Sequence, residues 1–338
     1  MKNMKKLKIL HVIIFTMMFL AWACTSNPLE EPTNALQAET GLEPAEVDSP
    51  APAAEDESQA LVFYDDMENK LTFESYPQAI ISLAPSTTEI LFAVGSDDQI
   101  IGRDDLSNYP EEALEITNVG SMFGNLPVEA ILALEPDLIL VAEIISPEQV
   151  AALQGLGLQV YWQQNPLSFE DLYENIRDIA TLTGNADDVE TVISALDDRV
   201  QKVGDTVSGI KAIPTVYYEL DGTEPENPWT TGSGTFIDYA IQLAGGENAA
   251  AALEGEYAQK SSEELIITDP DTILLADAEY GITPASVAER AGWETITAVQ
   301  EGNIFAFNSD LLSIPGPRLV EGLEIMAEIL HADLFQQN

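Results

Sequence analysis

Apolar residues are spaced in two ways along most of the chain. Compact runs such as residues 79–83 predict buried β-strands, whereas the polar start and following apolar run of residues 85–95 predict a helix. That helix is predicted to start with the capping-box spacing of Ser86 and Glu89 and to end at Gly95. Because the two kinds of run alternate, the pattern predicts parallel sheets covered by helices.

Residues 168–209 interrupt this alternation with two consecutive helices. The first is predicted to open at Ser168 and to close at Gly184. The second, over residues 186–207, carries one apolar stripe formed by Val189, Val192, Ile193, Leu196, Val200, Val203 and Val207. We interpret it as a long helix packed along two lobes, and the alternative is an ordinary amphipathic helix within one domain.

The strand and helix alternation then resumes. It predicts a strand over residues 215–220, a helix over residues 236–246 and a final helix that ends near His331, with Pro317 at its first position. Residues 221–235 between them are interpreted as a polar loop. The predicted fold is therefore α/β, with two αβ lobes that contain parallel sheets and are joined by one long helix.

One helix-turn-strand motif occurs twice in the chain, 134 residues apart. VEAILALEPDLILVA (128–142) aligns without a gap with SEELIITDPDTILLA (262–276), so that Glu129 corresponds to Glu263 and Asp137 to Asp271. We interpret the Pro-Asp pairs as turn formers. A glutamate in a first helical turn stabilises the helix dipole by ~0.3–1 kcal/mol, and a shared surface role is the alternative for Glu129 and Glu263.

Charge is strongly unbalanced, with 13 Lys+Arg against 58 Asp+Glu in 338 residues. A net charge of −45 repels nucleic acid, so nucleic-acid binding is excluded as a function class. The acids are spread along the chain, which indicates solubility or adaptation to a salty or acidic setting. The hydrophobic fraction of 46% is enough for well-buried cores.

The N-terminus has the features of a secretion signal. Lys2 and three further lysines precede an apolar run from Ile9 to Ala23, which is too short for a membrane span of about 20 residues. Cys24, the one cysteine of the chain, follows directly, so residues 1–23 resemble a bacterial lipoprotein signal that leads to lipidation of Cys24. The alternative is an ordinary signal peptide with an incidental cysteine.

Residues 24–60 are acidic and rich in Pro and Ala, which predicts a flexible tether.

Residues suited to catalysis are scarce. Beyond the signal the chain retains one histidine, His331, and no cysteine that could act as a nucleophile. A Ser/His triad and a His-rich zinc site are therefore excluded, and no phosphate-binding loop is present. We expect a protein that is not an enzyme and has no resident metal or cofactor, with an extracellular enzyme or a sensor or adhesion module as the rival functions.

Several polar and charged residues are candidates for a ligand cleft. Ser86 and Thr87 follow a predicted strand at a helix N-terminus, where ligands of open α/β sheets bind, although capping alone would also explain them. Arg103 and Arg318 are two of only nine bases outside the signal. Each either clamps an anionic group or neutralises nearby acids.

Three aromatic residues lie in polar, glycine-bearing segments. They are Phe123 in SMFGNLP, Trp229 in ENPWTTG and Tyr257 in EGEYAQKSS. Each either covers the edge of a core or forms a wall of a ligand cleft.

The chain from about residue 78 to 331 resembles the class III substrate-binding proteins of ABC importers. The resemblance rests on IISLAPSTTEILFAVGSDDQIIGRDDLSNYPEEA, VGSMFGNLPVEAILALEPDLIL, SSEELIITDPDTILLAD and IFAFNSDLLSIPGPRLVEG. It implies an N-terminal lobe over residues 61–167, a helical connection over 168–210 and a C-terminal lobe over 211–338. It also implies a monomer, anchored to the membrane through its lipid, that delivers a metal-chelate nutrient to a permease dimer and its ATPase. Glu129 and Glu263 match the glutamates that dock onto the permease in this family.

The resemblance implies three classes of ligand, namely corrinoids, ferric siderophores and haem. Haem-binding members commonly carry a tyrosine at the position of Ser121, which weakens the haem interpretation. Cobalamin binders line the cleft with aromatics, at positions that match Phe123, Trp229 and Tyr257. Ferric siderophore binders often use arginines such as Arg103 and Arg318, so we expect cobalamin first and a ferric siderophore second.

Overall fold

Two β-sheets organise the part of the chain that the computed structural model describes, residues 60–335. The strands are β1 Leu61–Tyr64, β2 Lys70–Phe73, β3 Ile80–Ser82, β4 Ile100–Asp104, β5 Asn118–Gly120, β6 Leu138–Ala142, β7 Val160–Gln163, β8 Thr215–Asp221, β9 Trp229–Thr231, β10 Glu247–Asn248, β11 Tyr257–Gln259, β12 Thr272–Leu275 and β13 Ile304–Ala306. The proposed signal, Cys24 and nearly all of the proposed tether lie outside the described residues.

Helices cover both sheets. They are α1 Pro85–Ala93, α2 Val128–Ala133, α3 Pro147–Gln154, α4 Phe169–Thr183, α5 Val189–Val207, α6 Phe236–Leu243, α7 Ser262–Thr268, α8 Pro284–Ala288, α9 Thr297–Glu301, α10 Asp310–Ser313, α11 Leu319–Leu330 and α12 Ala332–Phe335. Within residues 60–335, no helix is both long and apolar enough to cross a membrane.

The first lobe is built on a five-stranded sheet in the order β5-β4-β3-β6-β7, in which every pair is parallel. The central strands β3 and β6 are buried along their whole length, as expected for a sheet with helices on both faces. Strands β1 and β2 form a separate antiparallel hairpin beside this sheet.

The second lobe is built on a six-stranded sheet that is only partly parallel. Strands β8, β12 and β13 run parallel, but β9 is antiparallel to β8, and β11 is antiparallel to β9. Trp229 and Tyr257 therefore lie on short strands, and the interpretation of residues 221–235 as a loop throughout was wrong. Three-residue strands in polar segments form because a neighbouring strand pairs with them, which local sequence does not encode.

The repeated motif occupies the same place in both lobes, where it forms a helix, a turn and the following strand of the sheet. Glu135 and Asp269, which precede the Pro-Asp pairs, both have left-handed backbone with φ of 50° and 51°. Asp137 accepts hydrogen bonds from the N–H groups of Gln78 and Ala79 at 2.9 and 3.0 Å, and Asp271 accepts one from Thr215 N–H at 2.8 Å. Each aspartate thus ties the start of its strand to the start of the central strand beside it, a stronger role than shaping a turn.

Helices α4 and α5 connect the lobes, which confirms the predicted long helix. The Ser168 side chain accepts from Asp171 N–H at the start of α4, and Gly184 closes the helix with φ of 85°. Helix α5 packs against α4 on one side and α11 on the other. Its buried stripe of valines, Ile193 and Leu196 joins one apolar core that extends from α1 and α4 to α6 and α11.

Two predicted helix starts were wrong. Helix α1 begins at Pro85 after Ala84, with no side-chain cap, so Ser86 and Glu89 do not form a capping box. Helix α11 begins at Leu319 after Arg318, so Pro317 is not its first residue.

Candidate ligand-binding cleft

Two adjoining cavities lie where the carboxyl ends of the strands of both sheets meet. The first, of about 270 Å³, is lined in the first lobe by loops that follow β3, β4, β6 and β7. Its second-lobe wall is formed by Tyr280 and by residues 310–315 around α10. This is the position at which open α/β sheets bind ligands.

The second cavity, of about 340 Å³, shares Asn165, Ser313 and Pro315 with the first. Its remaining walls include Leu167 of the first lobe and Tyr257 of the second. The tyrosine is half exposed at 55%, and burial together with the nearby carboxylates of Glu256 and Glu143 raises its pKa. Together the cavities form a groove between the lobes, which we call the cleft.

The walls of the cleft are mostly apolar, with a few amides and hydroxyls and the three carboxylates of Glu143, Glu256 and Asp310. Leu106, Ile144 and Ile314 supply aliphatic surface, and Asn108 and Asn165 supply amides. Such a lining suits a large, partly apolar ligand that carries its own hydrogen-bonding groups.

The side chains of Ser86 and Thr87 lie in different surroundings. Ser86 lines the first cavity, which is consistent with a ligand contact. Thr87 is fully buried, and its Oγ1 lies 2.7 Å from Ser82 Oγ and donates to Ala84 O at 3.0 Å. The side chain of Thr87 therefore has a structural role and does not reach the cleft.

Arg103 does not lie in the cleft either. It is buried on β4, where its Nε donates to Ala113 O at 2.8 Å and its Nη1 donates to Asp104 O at 2.9 Å. The expectation of an anion clamp fails at this residue because the guanidinium is enclosed by the backbone of its own lobe.

Arg318 joins the lobes to each other. Its guanidinium donates to Glu89 Oε1 at 2.7 and 2.9 Å, and it stacks on the Tyr109 ring at 4.2 Å. The side chains of Arg318 and Glu89 are only 12% and 2% exposed. Burial raises the pKa of Glu89, and the hydrogen bonds from Arg318 oppose that shift. We refer to this contact as the interlobe ion pair, and it leaves Arg318 unsuited to clamp a ligand.

The three candidate aromatics are not brought together. Tyr257 lines the second cavity, but Phe123 and Trp229 are not among the residues that line either cavity. Phe123 follows β5 and is 65% exposed, and Trp229 opens the antiparallel strand β9 and is 44% exposed. Both lie at the cleft end of their sheets but outside its walls.

Tyr280 is the cleft aromatic that the sequence interpretation missed. It is 82% exposed in the loop after β12, and Asp277 holds that loop by accepting from Gly222 N–H at 2.7 Å. Its surrounding sequence, DAEYGIT, is polar and contains glycine. The signal that picked out Tyr257 would therefore also have found Tyr280.

Metal-ligating side chains do not cluster in the part of the chain that the structure describes. Within residues 60–335, no group of three or more His, Cys, Asp or Glu side chains is placed to hold a metal ion. His331 lies at the opposite end of the second sheet, with Nε2 3.1 Å from Gly245 O. The described residues thus offer no imidazole to the cleft.

Comparison with known proteins gives the family. The periplasmic binding protein family matches residues 80–311. This chain belongs to that family. A cobalamin-binding protein of Halobacterium salinarum is 32% identical over 269 residues, which cover 77% of this chain and 71% of that protein.

Two further relatives agree with this assignment. YvrC of Bacillus subtilis, named an uncharacterised ABC transporter substrate-binding lipoprotein, is 29% identical and aligns with 82% of this chain and 87% of its own length. The periplasmic haem-binding protein RhuT of Roseiflexus superposes with a TM-score of 0.68 at 26% identity, covering 76% of this chain and 99% of that one. This periplasmic binding protein is therefore a substrate-binding component of ABC import and not an enzyme.

Glu129 and Glu263 occupy equivalent surface positions in this binding protein. Each is the second residue of its helix, α2 or α7, and each is exposed. Neither forms an ion pair with any residue in the range 60–335. Two matched and unpaired carboxylates on separate lobes are available to a partner molecule.

Proposed function

We propose that this protein captures a corrinoid in the cleft outside the cytoplasm and delivers it to an ABC permease dimer driven by its ATPase. The observation that carries the proposal is the cleft itself, with tyrosines from one lobe facing aliphatic and amide groups from the other. A corrinoid combines a large apolar ring with peripheral amides, so it matches both kinds of wall. The relative from Halobacterium that is named cobalamin-binding supports the same choice.

Ferric siderophores and haem are less well matched. The arginines expected to hold an anionic siderophore, Arg103 and Arg318, are both engaged within the protein. His331 is remote from the cleft, and Ser121 stands where a haem-ligating tyrosine is expected. A ferric siderophore is the second candidate ligand, since a neutral one would still fit the polar groups of the cleft.

Calorimetric titration of the purified protein tests the ligand class. Cyanocobalamin, dicyanocobinamide, haemin and ferric siderophores are titrated separately under the same conditions. We expect saturable one-to-one binding of a corrinoid and weak or no binding of haemin. Absence of saturable binding for every compound would refute the metal-chelate function.

Docking is proposed to use Glu129 and Glu263. The double variant Glu129→Lys/Glu263→Lys should abolish uptake in cells and leave ligand affinity unchanged, because both carboxylates are exposed and outside the cleft. Glu148→Lys/Glu328→Lys, which reverses two other exposed helix carboxylates, is the matched control. Normal uptake by the first variant would show that docking uses other residues.

Membrane attachment is proposed to occur through lipidated Cys24, with the protein acting as a monomer. The Cys24→Ala variant should lose incorporation of labelled fatty acid and should move from the membrane fraction to the soluble fraction. An unchanged distribution would favour the ordinary signal peptide, with the cysteine incidental.

A further inference from the structure

The charged residues of the cleft are all acids. Asp310 lines the first cavity, and Glu143 and Glu256 line the second. Glu143 comes from the first lobe and the other two from the second, so carboxylates face the groove from both sides. Neither cavity is lined by a lysine, an arginine or a histidine.

The acidic character continues beyond the two cavities. A neighbouring depression shares Asn165, Pro166 and Leu167 with the second cavity, and its charged residues are Asp66, Asp171 and Glu174. It too is lined by no base. A ligand that protrudes from the cleft on this side would meet further negative charge.

All five arginines of the described chain already form hydrogen bonds or ion pairs with other groups of the protein. Arg103 is enclosed by its own backbone, and the other four form ion pairs, namely Arg177 with Glu190, Arg199 with Glu324, Arg290 with Glu219 and Arg318 with Glu89. Recruiting any of the four to a ligand would break an existing pair. No arginine is therefore free to neutralise an anion in the cleft.

The lysines are also absent from the cleft walls. Lys211 lines a groove at the opposite end of the second sheet, and Lys70 and Lys202 are exposed on β2 and α5. Lys260 is buried, and its burial lowers its pKa. The acids of the cleft consequently have no base among its lining residues, and Arg318, which lies within coulombic range of Asp310, is already paired with Glu89.

We infer that the cleft selects metal chelates that are neutral or cationic and discriminates against anionic ones. The inference rests on the proposed function and adds the charge class of the ligand to it. Like charges a few ångströms apart at a protein surface repel, and the repulsion is screened by salt. One added negative charge on an otherwise identical ligand should weaken binding on the order of tenfold at low salt.

Matched ligand pairs test this without altering the protein. Cyanocobalamin is compared with its derivative in which one peripheral amide is converted to a carboxylate. Ferrioxamine B, with its free ammonium group, is compared with its N-acetyl form. In whichever pair binds, the less negative member should bind on the order of tenfold more tightly at low ionic strength, and the difference should shrink in 1 M NaCl.

A charge-neutralised cleft separates electrostatics from a lost hydrogen bond. In Glu143→Gln/Glu256→Gln/Asp310→Asn the difference within each pair should shrink. In Glu148→Gln/Asp205→Asn/Glu328→Gln, which removes three exposed acids elsewhere, the difference should remain. Equal affinities within the pairs for the unaltered protein, or tighter binding of the more negative member, would overturn the inference and leave corrinoid or siderophore binding intact. Failure of both pairs to bind would overturn the proposed function and the inference with it.

Discussion

The two lobes are alike at the end of each sheet that faces away from the cleft and differ at the end that forms it. At the far end, Asp137 and Asp271 make the same contact with the start of a central strand. At the cleft end, the first lobe presents Leu106 and Ile144, whereas the second presents Tyr257 and Tyr280. Strand alignment depends on a fixed hydrogen-bond geometry, but loops beyond the strands tolerate change, so the scaffold is repeated while the ligand surface differs.

The interlobe ion pair is the contact whose loss should have the largest effect on this arrangement. Arg318→Ala leaves the buried carboxylate of Glu89 without its partner, which should cost about 3–5 kcal/mol of unfolding free energy. Urea unfolding measures the change.

Arg199→Ala is the matched control for that measurement. It removes the exposed partner of Glu324 on the neighbouring helix α11 and should cost at most about 1 kcal/mol. Equal losses for the two variants would contradict the assignment of a special role to the pair between the lobes.

Substitution of Asp137 and Asp271 tests whether the two lobes depend on the same turn contact. Asp137→Ala and Asp271→Ala should each cost about 1–2 kcal/mol, because each removes charged hydrogen bonds to backbone N–H groups at a strand start. Glu328→Ala, an exposed helix substitution, should be close to neutral. A large loss in one lobe only would mean that the two turns are similar in shape and not in function.

The pH dependence of stability should show the buried acids of both lobes. Burial raises the pKa of Asp104 in the first lobe and of Asp277 in the second. The folded state then binds protons more readily than the unfolded chain, so the contribution of these groups to stability is present at low pH and is lost as pH rises through their folded pKa values.

The melting temperature should therefore rise modestly as the pH is lowered from neutrality towards the folded pKa values of these two groups, which lie above the ordinary 3.8. The scan is run in 0.5 M NaCl, so that the general repulsion of a chain with a net charge of −45 is screened. Asp277→Asn should reduce the slope, and a melting temperature that falls over this range would contradict the assignment.

Local sequence signals were sufficient for much of the scaffold. Helix α4 begins after Ser168 and ends before Gly184, as predicted. The two copies of the repeated motif form α2 and β6 in the first lobe and α7 and β12 in the second. In these elements the cap, the turn and the apolar spacing all favour the same structure, which is why they are readable from the sequence.

The residues of the cleft were harder to predict because their environment is set by distant parts of the chain. Arg318 meets Glu89 across 229 residues, and no local pattern indicates that pairing. Trp229 and Tyr257 owe their positions to antiparallel pairing with β8 and with each other's strands. Tyr280 was recognisable by its glycine-bearing polar loop, but its place on the cleft wall depends on the approach of the first lobe.

The most direct test of the claim that the ligand is held between the lobes is to measure how much the cleft tyrosines contribute to the affinity of the protein for a corrinoid. Calorimetry with cyanocobalamin is carried out on Tyr257→Ala/Tyr280→Ala and on Phe123→Ala, which removes an exposed aromatic outside the cavity walls. We expect the double variant to lose about a hundredfold in affinity, since each lost aromatic contact is worth about 1–2 kcal/mol, and Phe123→Ala to bind like the unaltered protein. Unchanged binding by the double variant, or loss of binding in Phe123→Ala alone, would contradict placement of the ligand in the cleft.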